Sequence, residues 1–152
     1  MTIRRTTCLV LPMLLFFCCL HAQVKPVRRT THHKGSASQM VRGKIVYNKI
    51  CLACHMVSGA GVPTMNPPLI NTDYVLGDKT RLIKIVLNGF KEDVAINGQK
   101  YSNNMLPHRD LKDQQIANVL TYVRNSFGNK ASRVTATEVE KVRGMIAPIS
   151  GK

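Results

Sequence analysis

Cys51-Leu52-Ala53-Cys54-His55 sets two thiols three residues apart and an imidazole beside the second. The other three cysteines, Cys8, Cys18 and Cys19, lie in the first twenty residues. With that leader removed, two cysteines remain, too few for a disulfide framework. A zinc site would need further ligands at knuckle spacing, and no second Cys pair is present. A thioredoxin-like redox pair belongs in a βαβ context, which this chain lacks. The remaining reading is covalent c-type haem attachment. Two thiols so spaced at a helix end reach the two vinyl groups of one porphyrin, and the adjacent His is held beneath the iron.

The sequence before the motif reads as a leader and a tether. Arg4 and Arg5 precede an uninterrupted run of apolar residues from Cys8 to Leu20, followed by His21-Ala22. The run is short for a membrane span and fits an export signal, residues 1–22, cleaved after Ala22. The alternatives are a buried N-terminal helix and lipidation at Cys18 or Cys19. Residues 23–37 are polar and basic without apolar periodicity, which reads as a flexible linker.

Downstream, 44% hydrophobic residues allow a modest core, yet aromatics are 5% and Trp is absent. Such a core is aliphatic or borrows apolar mass from a bound group. A first helix is expected from near Ser38 through Val41, Ile45 and Ile50 to the motif. Gly59, Gly61, Pro63, Pro67 and Pro68 then enforce a loop. Asp78 caps a helix with Leu82, Ile85 and Val86 on one face, stopped by Gly89. Asn97-Gly98 suggests a small hairpin. Asp110 is the expected cap of the last main helix, with Ile116, Val119, Leu120 and Val123 as its apolar face. Thr135 with Glu138 forms a capping-box pattern for a short extra helix ending near Arg143.

These residues resemble the class I monohaem cytochromes c from about Ser38 to Asn125. Gly43, Tyr47 and the Cys51–His55 motif are similar to the family's N-terminal helix. Leu111 to Arg124 is similar to the helix that crosses it. Pro67-Pro68-Leu69 resembles the segment whose backbone carbonyl orients the proximal His, which implies that Pro67 accepts the His55 ring N–H. Ile96 to Pro107 resembles a subgroup found beside periplasmic dehydrogenases and copper nitrite reductases, departing from it at Leu106 and His108. The resemblance implies an all-α cytochrome c fold, three to four helices with long loops around one haem c. The domain would span 38–128, with a C-terminal extension over 129–152.

His55 supplies one axial ligand, and the candidates opposite are Met65, Met105, His108 and the remote Met145. Met105 is favoured: it lies in a polar, Pro-terminated loop with little to pack against, at the place of the family's ligand Met. Met65 ranks second, close to His55 in sequence, and His108 third. Leu69, Leu82, Ile85, Val119 and Tyr122 are the expected haem-packing residues, and Tyr47 a helix-crossing contact. With both axial positions filled, the expected function is single-electron transfer without catalysis, from a dehydrogenase to a terminal acceptor in the periplasm. Two alternatives stand beside it: a haem enzyme or sensor with an open iron, and an obligate cytochrome subunit of a dehydrogenase or reductase complex.

The formal charge is +14. Residues 23–50 carry Lys25, Arg28, Arg29, Lys34, Arg42, Lys44 and Lys49 and no acid, whereas 51–152 hold thirteen basic residues and all eight acids. Nucleic acid ranks low, because an exported chain rarely meets it and no aromatic-interleaved basic platform is present. A solvated basic arm is one reading. The other is steering toward a redox partner with an acidic docking patch, or toward an anionic membrane surface, with a lipid anchor as the alternative means of attachment. The chain is expected to be a monomer.

Overall fold

A computed structural model describes residues 35–92 and 95–146. The export signal and nearly all of the linker lie outside the described residues, as do the last six residues. Among the described residues, no helix is long and apolar enough to cross a membrane.

Helix α1 spans Ala37–Val46 and is capped by Ser36, whose hydroxyl accepts from Gln39 N at 3.2 Å. It therefore starts ahead of Ser38: Ser36 satisfies an orphan amide of the first turn, and Ser38 sits inside the helix. A π-helical turn, Tyr47–Cys51, follows, and then α2, Leu52–His55, carrying the second thiol and the imidazole. Such turns let one extra residue into a helix and recur at functional sites. Met56 ends the run at φ 64°, and its carbonyl accepts from the Tyr47 hydroxyl at 2.5 Å.

Helix α3, Asp73–Leu76, is capped by Thr72, and α4, Lys79–Asn88, by Asp78. On α4 the buried residues are Leu82, Ile83, Val86 and Leu87, while Ile85 is half-exposed. The stripe is displaced from the expected Leu82–Ile85–Val86 face because α6 packs against α4 as well. Strands β1, Ala95–Ile96, and β2, Gln99–Lys100, form an antiparallel hairpin. Asn97 and Gly98 turn it with positive φ, as a tight two-residue hairpin requires.

Helix α5, Asp113–Arg124, starts after Lys112 and not at Asp110. Leu111 is buried ahead of it, which pins the entering chain, and the Gln115 side chain accepts from Lys112 N at 2.9 Å. Ile116, Val119, Leu120 and Val123 are all buried.

The main crossing is α1 on α5, and Gln39 locks it from inside. Its side-chain amide donates to the Thr121 hydroxyl and to Val134 O, both at 3.0 Å. That pairing satisfies a buried amide and ties in the chain leading to α6, Ala136–Gly144. Val134, Val139 and Val142 of this last segment belong to the core. Arg124 is also buried and donates to Val75 O, Gly77 O and Ser132 O, closing the carbonyl end of α3.

Thr135 and Glu138 form the capping box of α6, and Glu138 also pairs with Lys79 at 2.7 Å. Burial pushes the Glu138 carboxyl up, but Lys79 and Thr135 outweigh it and hold it below its ordinary range. Its contribution is therefore present above the ordinary glutamate pKa and is lost as pH falls through and below it. Glu138→Gln is expected to cost about 1 kcal/mol near neutral pH and progressively less as pH falls below the ordinary glutamate pKa of about 4.3. Thermal midpoints measured against pH check this.

Candidate functional site

The motif sits where α2 ends against the loop at 56–72. The Cys51 and Cys54 thiols are free of disulfides, Cys51 half-buried and Cys54 exposed. Burial, with Cys54 nearby, pushes the Cys51 thiol up to about 11. Ring nitrogen Nδ1 of His55 lies 3.0 Å from the carbonyl oxygen of Pro67. That carbonyl can only accept, so Nδ1 carries the proton and Nε2 keeps its lone pair. Burial holds the imidazole below its usual pKa, against the smaller opposing effect of the Pro67 bond, and so favours the neutral, ligating form.

The loop that supplies Pro67 is tied to the loop that carries Met105. Ser102 N donates to Thr64 O at 2.9 Å, and Asn103 N donates to Met65 O at 3.0 Å. The Asn103 side-chain amide donates to Asn66 Oδ1 at 3.1 Å. Met105 then pairs with Phe90 through both backbone bonds, Phe90 N to Met105 O at 3.0 Å and Met105 N to Phe90 O at 2.9 Å. His108 N bonds Val86 O, so the segment is fastened to α4 on its other side as well. A cleft remains between these loops, lined by Pro67, Phe90, Ile96, Tyr101, Ser102 and Asn103 among others.

The other expected site residues divide into two groups. Leu82 and Val119 are buried in the core, whereas Leu69, Tyr122 and Met105 are half-buried and packed against its edge. Ile85 is half-exposed, His108 half-buried, and Met65 and Met145 are exposed. Tyr47 is buried between the rings of Tyr122 and Phe127, each at a centroid distance of 5.4 Å, so it braces the helix behind the motif.

Sequence reading missed four supports of this geometry. Phe90 is the backbone partner of Met105. Phe127 completes the three-ring cluster with Tyr47 and Tyr122. Asn129 is buried, donates to Leu69 O and Val123 O, and accepts from Asn71 N. Asn66 bonds Asn103. Buried Asn129 joins segments nearly sixty residues apart, which no local pattern announces.

The donor set fits a haem carried by two thioethers. Two thiols free of disulfides adjoin in sequence an imidazole with one committed nitrogen, and a Met-bearing segment is hydrogen-bonded to the loop that supplies Pro67. Among the described residues, no group of three or more His, Cys, Asp or Glu side chains could hold a bare metal ion.

The cytochrome c family model matches residues 40–127. The chain is 37% identical over 120 residues to the cytochrome c subunit of a quinone alcohol dehydrogenase from Gluconacetobacter polyoxogenes. That alignment covers 72% of this chain and 24% of the subunit. It is 33% identical over 119 residues to cytochrome c-552 of Thermus thermophilus, covering 72% of this chain and 79% of that one. It is 35% identical over 114 residues to the cytochrome c subunit of a gluconate 2-dehydrogenase from Pantoea cypripedii, covering 72% and 25%. The chain thus spans about a quarter of the dehydrogenase subunits it matches and most of cytochrome c-552.

Proposed function

This chain belongs to the cytochrome c family, with haem c as its covalent cofactor, and we infer that it carries single electrons through an iron held between His55 and Met105. The observation that carries this reading is the shared loop framework. Pro67 accepts the His55 ring N–H, and the same loop is hydrogen-bonded to the segment bearing Met105.

The haem, joined through Cys51 and Cys54, supplies one-electron iron chemistry when bound. Around it the protein fixes orientation and polarity. Pro67 holds the His55 tautomer and leaves Nε2 for the iron. The Met105 thioether would favour the ferrous state, and Leu69, Leu82, Ile85, Val119 and Tyr122, as the apolar residues proposed to pack the haem, would disfavour the extra ferric charge. Both effects raise the reduction potential. With His55 and Met105 both committed to the iron, oxygen and peroxide would find no open site. The chain therefore transfers electrons and does not catalyse a reaction of its own.

Its place is the periplasm, reached through the N-terminal signal. Its donor is a dehydrogenase, in keeping with two relatives that are themselves dehydrogenase cytochrome c subunits. Those names equally support a stable association with such an enzyme.

The ligand assignment is tested by the visible spectrum of the oxidised protein. The wild type is expected to show the weak long-wavelength iron–sulfur charge-transfer band. Met105→Ala should abolish it, and Met65→Ala should leave it. A high-spin wild type that binds carbon monoxide rapidly would overturn the assignment in favour of an open-iron enzyme or sensor.

A further inference from the structure

Helix α1 turns Gln39, Gly43 and Val46 into the molecule. Val41 and Ile45 lie about 160° and 200° around the helix from Gly43, opposite the crossing with α5. Their exposures are 60% and 62%. Arg42 and Lys44 stand about 100° from Gly43 on either side, so they flank this aliphatic pair. Both are exposed, as is Lys49 in the turn that follows. Between residues 35 and 72 there is no acid at all, the first being Asp73. On α6, by contrast, exposed Glu140 and Lys141 adjoin, so neither sign dominates.

Two aliphatic side chains between cationic shoulders match the requirements of an anionic bilayer surface. The apolar tips enter the headgroup boundary, and the long basic side chains reach the phosphates. The sign is continued upstream by Lys25, Arg28, Arg29 and Lys34, again with no acid among them. A redox partner would use another surface. Val41 lies ten residues before Cys51, about 15 Å along the helix axis from the attachment motif. We propose that the outer face of α1, formed by Val41, Ile45, Arg42 and Lys44, together with Lys49 in the turn that follows, seats the protein on anionic phospholipid. This rests on the export reading for which bilayer is met, and it is independent of the axial ligands.

The test is co-sedimentation of the full exported holoprotein with phosphatidylcholine vesicles, with and without phosphatidylglycerol. The wild type should bind only the anionic vesicles and be released at high salt. The double variant R42Q/K44Q should lose about thirtyfold in vesicle affinity. V41S/I45S should lose several-fold at unchanged charge, and both should keep the wild-type visible spectrum. Wild-type failure to bind anionic vesicles overturns the proposal. So does unchanged binding in both variants, which would assign the lipid contact to the upstream basic residues. An R42Q/K44Q effect confined to electron-transfer rates, with no vesicle binding, would place an acidic protein on this face and also overturn it. Failure of the His55/Met105 assignment would show in the spectrum and leave the vesicle result unchanged.

Discussion

Gly43→Val should stop holoprotein from accumulating, or leave it with a much lower denaturation midpoint. Gly inside a helix costs about 1 kcal/mol relative to Ala, so its presence in mid-α1 calls for a packing reason. A Cβ at Gly43 would lie 2.2 Å from Asn118 O and 2.6 Å from Tyr122 Cβ. The nearest obstacle is the α5 backbone, which cannot rotate aside, so the two helices would have to separate. Separation would loosen Tyr47 from Tyr122 and Phe127 and stretch the Gln39 bonds to Thr121 and Val134. It would also shift Cys51 and His55 at the end of the same helical run. Overpacking costs about 1–3 kcal/mol where a core can adjust, and a branched side chain against backbone should exceed that range. Against a total of about 5–15 kcal/mol for a small domain, the loss is large. Gly144→Ala is the matched control, since a Cβ there meets nothing within 4 Å. A guanidinium midpoint for Gly43→Val equal to wild type would mean that α1 and α5 do not approach this closely.

What the sequence made legible was what local chemistry encodes. The Cys51–His55 motif, the Asp78 cap, the Asn97-Gly98 turn and the Thr135/Glu138 box each state their structure within five residues. Boundaries and faces that depend on distant partners were read less well. Ser36 and not Ser38 caps α1, and Lys112 and not Asp110 precedes α5, because burial of Gln39 and Leu111 fixes where each helix enters the core. Ile83 is fully buried although the apolar pattern pointed to Ile85, since the second helix covering α4 lies more than fifty residues away in sequence. The π-helical turn at Tyr47–Cys51 has no composition signature. The tie between the two loops of the cleft joins residues 37 and 38 apart through backbone and amide groups that any polar loop contains.

Gly89→Ala should detach Met105 while leaving the haem attached. Gly89 caps α4 at φ 76° and ψ −175°, a conformation essentially restricted to glycine. A Cβ there would also lie 2.4 Å from Met105 O, 3.0 Å from Pro107 N and 3.1 Å from Leu106 C. All three are backbone atoms of the segment that bears the inferred ligand. Relief requires that segment to move away, which would break the paired bonds between Phe90 and Met105. Strain and collision together should cost more than about 2 kcal/mol. The thiols and His55 lie on α2 and its approach, far from this cap in sequence, so covalent haem content should stay at the wild-type level. The charge-transfer band should fall to a small fraction, the reduction potential should drop, and carbon monoxide should bind the reduced protein. Gly98→Ala separates strain from collision. Its φ is 79°, yet a Cβ there meets nothing within 4 Å. That variant should lose about 1 kcal/mol of stability and keep the band. If Gly89→Ala keeps the band at full intensity, the close approach of the α4 cap does not position Met105. If Gly98→Ala loses the band too, the hairpin holds the ligand loop in place as well as the cap, and the collision at Gly89 is not the deciding contact.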